Sequence, residues 1–190
     1  MLRLAAEAAI PVVALVNLLF GIGFALIARD RIRSDGPFAE PAFPLVAMHA
    51  GMVVAPVALY FYAVHPAWSW LYWFNPQRLA GVVVLPLMVG HAGLVIGGWY
   101  AGGFLLRRGH QATLVYIAAA IAVALLGLIV ASIHRLSTAA DYLGWQTQQG
   151  VALFSVQLGW AFAVSLLALG GSGLYVGIEL GRDARRVRAR

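Results

Sequence analysis

Residues 112–134 read ATLVYIAAAIAVALLGLIVASIH, an unbroken run without an acid, a lysine or an arginine. A helix rises about 1.5 Å per residue, so this run is long enough to cross a hydrocarbon core about 30 Å thick. That core offers no water to a backbone N–H or C=O, and a helix satisfies both within one segment. Four further stretches have the same character, at about residues 8–28, 43–64, 79–105 and 151–180. The expected fold class is therefore an all-α integral membrane protein. Residues 1–190 form one domain, a bundle of five transmembrane helices.

Composition agrees. Of 190 residues, 62% are hydrophobic and 11% charged, where a soluble domain carries roughly 25% charged residues. Mean hydropathy is +0.85. These values exclude a soluble globular chain and a disordered one. The chain has no cysteine, which excludes disulfides, thiolate metal sites, thiol nucleophiles and covalent c-type haem attachment. It also has no lysine, so a retinal Schiff base, a lysine nucleophile and a phosphate-loop lysine are excluded.

The arginines give an orientation. Arg29, Arg31 and Arg33 follow the first span, Arg107 and Arg108 the third, and Arg182, Arg185, Arg186, Arg188 and Arg190 the fifth. The other side holds Arg3, Arg78 and Arg135. Ten against three places the N-terminus outside and the C-terminus in the cytoplasm. The first span is expected to be retained, because its positive cluster follows the apolar run and no small-x-small cleavage site precedes it. Compact loops and a basic tail at 181–190 suit a bacterial cytoplasmic (inner) membrane. The net charge of +6 is distributed as a topology signal, so membrane lipids are expected as partners and nucleic acid is not.

Small residues mark the packing faces. Gly93 and Gly97, Gly98 and Gly102, and the series Gly173, Gly177, Gly181 are each spaced by four, which puts them on one helix face. They let helices approach within the chain, or seat a second copy or a partner subunit. Pro11, Pro56 and Pro86 lie inside spans. Asn17, Ser155, Gln157 and Ser165 are expected to hydrogen-bond between helices. No carboxylate lies in the middle of a span, which argues against a carboxylate-driven pump and a carboxylate-rich di-metal centre.

The most specific internal feature is a repeat. Residues 44–51 read PLVAMHAG and residues 86–93 read PLMVGHAG, placing His49 in the second span and His91 in the third. Counted from the span ends, His49 lies roughly 9 Å and His91 roughly 12 Å from the cytoplasmic edge, so the imidazoles are expected at similar depth. Facing histidines can hold a b-type haem, with room beside Ala50, Gly51, Gly90, Ala92 and Gly93. The alternative is two buried histidines that bond across helices. A further pair, His65 and His134, sits at the outer edge, where interfacial rings are common.

The outer segment 65–76 reads HPAWSWLYWFNP. Trp68, Trp70 and Trp73 suit an interfacial position, and with Arg78, Arg135, Tyr142 and Trp145 they make a candidate lipid- or partner-binding lid. No catalytic motif is present. The expected function is a non-catalytic subunit of a membrane assembly, as homo-oligomer or with a protein partner, or a lipid-binding protein. Two alternatives stand beside it: a haem b cytochrome on His49 and His91, and a lipid-modifying enzyme using His65, His134 and Asp141.

Overall fold

The computed structural model describes residues 2–63, 84–144 and 150–190, and every regular element among them is helical. Helix α1 spans Leu2–Ile27 and, after Ala28, α2 spans Arg29–Asp35. Then α3 (Ala42–Met48), a π-helical segment (His49–Val54) and α4 (Ala55–Ala63) run on without a break. The remaining helices are α5 (Leu85–Arg107), α6 (Gln111–Gly144) and α7 (Gly150–Arg188). Four helical stretches are long and apolar enough to cross a membrane: Ile10–Ile27, Ala42–Tyr60, Leu85–Arg107 and Gln111–Ala131. The expected fifth stretch lies on α7, where the side chains of 151–166 are outside the described residues.

Glycine decides where the helices meet. A Cβ at Gly21 would fall on the Val95 carbonyl oxygen and 2.8 Å from Trp99 N. One at Gly98 would lie 3.1 Å from Gly21 Cα, and one at Gly102 would lie 2.6 Å from Ala25 Cβ. The α1 and α5 backbones are therefore in direct contact through Gly21/Ala25 and Gly98/Gly102, and the two helices run parallel. In lipid, such close packing supplies attraction that hydrophobicity cannot, because acyl chains are as apolar as leucine. Around the contact lie Ile22, Val95 and Trp99, all buried. The Trp99 indole Nε1 donates to Pro37 O at 2.8 Å, so its one polar atom is satisfied in the loop after α2. By contrast, only 6% of the α6 apolar stretch is buried, against 33–39% in the other three, so α6 lies at the rim.

Three segments differ from expectation. The loop after α1 contains a helix, α2, because Ile32 turns into the core and is fully buried while the arginines face outward. The segment expected as an outer loop from His134 is helical to Gly144, and carries His134, Arg135, Asp141 and Tyr142 on α6. The basic tail is helical to Arg188, anchored by ion pairs rather than free. Arg188 pairs with Asp30, Arg31 with Asp183 at 3.5 Å and with Asp35 at 2.9 Å. Arg33 donates to Leu106 O at 3.4 Å and to Gln111 Oε1 at 3.2 Å, tying α2 to α5 and α6.

The open side of α5 offers an internal control. Gly93 and Gly97 have nothing within 4 Å of an added Cβ. Gly98→Val is expected to cost about 3 kcal/mol or more through overpacking against α1, whereas Gly93→Val and Gly97→Val leave stability unchanged. Unfolding midpoints in detergent check this. Equal midpoints for all three variants would contradict the packing described.

Candidate functional site

One face of α1 organises the interior. Asn17, Phe20 and Phe24 recur at helical spacing, so they share a side. The Phe20 and Phe24 rings stack at 6.0 Å, and His49 meets both edge-on, with centroids at 5.5 and 5.3 Å. His49 is 2% exposed, and neither ring nitrogen has a hydrogen-bond partner among the described residues. Asn17 is fully buried, and both its amide atoms lack partners. The expected interhelical bond from Asn17 is therefore absent among the described residues.

His91 is held differently. Its Nε2 lies 2.6 Å from the Tyr62 hydroxyl, and the two rings are parallel within 3°. With the hydroxyl as donor, the imidazole proton sits on Nδ1, which has no partner. No hydrogen bond or ring contact joins His49 to His91 among the described residues. The α1–α5 register explains this. Gly21 lies beside Gly98 and Ala25 beside Gly102, so His91 stands level with about residue 14 of α1. His49 stands level with residues 20–24. About eight residues, or ~12 Å along the bundle, separate them. The structure thus sets at different levels the two rings that counting from span ends had put at one depth. Such counting misses where α5 begins relative to α1. Among the described residues no group of three or more His, Asp or Glu is placed to hold a metal ion.

A second feature lies on the other side of Phe20 and Phe24. A cavity of about 630 Å³ runs between α1 and α7. Its walls include Gly23 of α1 and Gly170, Gly173, Gly177 and Gly181 of α7, with Arg182 and Arg185 at one end. A Cβ at Gly173 would touch the Phe20 ring at 2.7 Å, but one at Gly23 or Gly170 would meet nothing within 4 Å. Gly173 thus seats α7 on α1, while Gly23 and Gly170 leave space. Arg182 reaches Glu179 at 2.6 Å. Arg185 has no ion pair among the described residues. A smaller cavity of about 530 Å³ lies by Tyr100, Phe104, Arg107 and Arg108, where the Arg108 guanidinium rests 4.0 Å above the Phe104 ring.

Of the other residues singled out by sequence, Gly98 and Gly102 form the α1 contact, and Gly177 and Gly181 face Ile27. His65, Trp68, Trp70, Trp73, Arg78 and Trp145 lie outside the described residues. The side chains of His134, Arg135, Asp141 and Tyr142 do too. Sequence reasoning missed Tyr62, Phe20 and Phe24, since aromatic residues in an apolar span carry no periodic signal of their own. It also missed Gly21 and Ala25, a small-xxx-small step that the search for glycine pairs passed over. No known protein family, no curated protein and no solved structure matches the chain.

The Tyr62–His91 bond is testable. Tyr62→Phe leaves a buried Nε2 unpaired at about 1–3 kcal/mol, so its denaturation midpoint in detergent is expected to fall. An unchanged midpoint would show that the bond contributes no net stability.

Proposed function

We propose that the chain is a non-catalytic, five-span protein of a bacterial cytoplasmic membrane, N-terminus outside, that binds a lipid with a phosphate-bearing headgroup. The observation that carries this reading is the glycine-walled groove between α1 and α7. Its volume falls within the roughly 300–1,000 Å³ of small-molecule sites. From Gly170 to Gly181 it extends ~16 Å along α7, close to the depth of one leaflet of a ~30 Å core. Its lining is apolar over that length and ends at Arg182 and Arg185. An acyl chain fits the first part and an anionic headgroup the second, because guanidinium pairs well with phosphate.

Charge around the mouth supports the same occupant. Asp30, Asp35, Glu179 and Asp183 are already paired with arginines. Arg185 is left to attract an anion. In this reading the positive-inside rule turns this end toward the cytoplasm, where anionic lipids concentrate.

The experiment is to purify the full chain in mild detergent and quantify retained lipid by mass spectrometry. Gly170→Leu and Gly23→Leu fill the groove without meeting backbone. They are expected to reduce retained phospholipid at least about tenfold, the loss that 1.4 kcal/mol produces, with thermal midpoints unchanged. In the Arg182→Gln/Arg185→Gln double variant, the retained lipid is expected to lose its preference for anionic headgroups. Equal retention by the filled-groove variants would overturn the reading.

A further inference from the structure

Three buried polar side chains are strung along the interior, and five of their nitrogen and oxygen atoms lack partners: two on Asn17, two on His49 and Nδ1 of His91. Leaving such a group buried and unpaired costs about 1–3 kcal/mol each. In lipid there is no bulk water nearby to relieve it. Apolar residues at these positions would avoid that cost, so the polarity itself calls for an occupant that can hydrogen-bond.

The spacing of these groups along the bundle fits water as that occupant. Counted along α1, His91 is level with residue 14, Asn17 lies ~4.5 Å further on, and His49 lies ~7.5 Å beyond that. One water linked by two hydrogen bonds bridges about 5.5 Å. These axial offsets are within reach of one water between His91 Nδ1 and the Asn17 amide, and of one or two between Asn17 and His49. With the Tyr62–His91 bond, such waters would complete a hydrogen-bonded file from Tyr62, one residue before the end of α4, to His49. His49 also opens the π-helical segment, whose wider turn is a common local device at functional positions.

The file stops at an aromatic pair. Phe20 and Phe24 contact His49 on one side and line the α1–α7 groove on the other. The groove continues to Arg182 and Arg185. We propose that Tyr62, His91, Asn17 and His49 form a water-filled proton path through the bundle, closed toward the groove by the Phe20 and Phe24 rings. Along it, protons pass between waters. At each imidazole one nitrogen takes up a proton while the other releases one, so no covalent bond to carbon changes and no redox partner is needed. The proposal does not rest on the lipid reading, because its readout is proton movement.

The test uses the full chain in phospholipid vesicles loaded with a pH-sensitive dye, with a potassium diffusion potential driving protons inward. Phe24→Ala is expected to raise proton entry at least about tenfold over the wild type, a barrier change of about 1.4 kcal/mol. Phe24→Leu, a smaller truncation, serves if the alanine variant does not elute as a single species. Adding Asn17→Leu to either is expected to return entry to the wild-type level. Asn17→Leu alone is expected to keep or raise the thermal midpoint, because it removes two unpaired atoms. The proposal is overturned if the truncated variants are as tight as the wild type. It is equally overturned by a leak that persists with Asn17→Leu, by dye released together with protons, or by a midpoint that falls in Asn17→Leu.

Discussion

The contact between α1 and α5 fixes the rest of the molecule. With Gly21 beside Gly98 and Ala25 beside Gly102, the two backbones touch and the helices cannot slide without driving a Cβ into a carbonyl. That register sets His91 level with about residue 14 of α1, while His49 meets α1 further along, at Phe20 and Phe24. It also sets the floor of the groove, because α7 docks on the same α1 through Gly173 and Phe20. A bilayer gives helices little reason to associate by hydrophobicity, so geometric fit carries the specificity.

Polar groups divide between two roles. At the arginine-rich end, side chains pair across elements: Arg31 and Arg188 hold α7 to α2, and Arg33 holds α2 to α5 and α6. In the interior, Asn17 and His49 make no such pairs. Exposed ion pairs contribute modestly, about 0–1 kcal/mol each, but a network that joins the second helix to the last gives the bundle end one arrangement. The interior groups contribute nothing to stability by that measure.

Much of the fold was legible in sequence because the bilayer imposes a length and a polarity that few residue patterns meet. The 112–134 run and the stretch near 43–64 both appear as helices long enough to cross. The glycine spacing at Gly98 and Gly102 also translated directly into a contact. The site was less legible. The repeated P-L-x-x-x-H-A-G segments identified His49 and His91 as unusual, and both are buried. Their relative height depends on helix register, which a repeat within each helix does not encode. The short α2 and the helical tail escaped because charge suggested loops, whereas one buried Ile32 and a few ion pairs were enough to order them.

The π-helical segment carries a consequence for how this chain tolerates change. Each residue advances a helix by about 100°, and a π turn holds one residue more than the α turns around it. Rewinding His49–Val54 as ordinary α-helix with all six residues kept would swing everything that follows by close to that angle. Tyr62 would then turn away from His91, although every side chain in the pair was still present. The wider winding of this segment, rather than its composition, keeps α3 and α4 in phase.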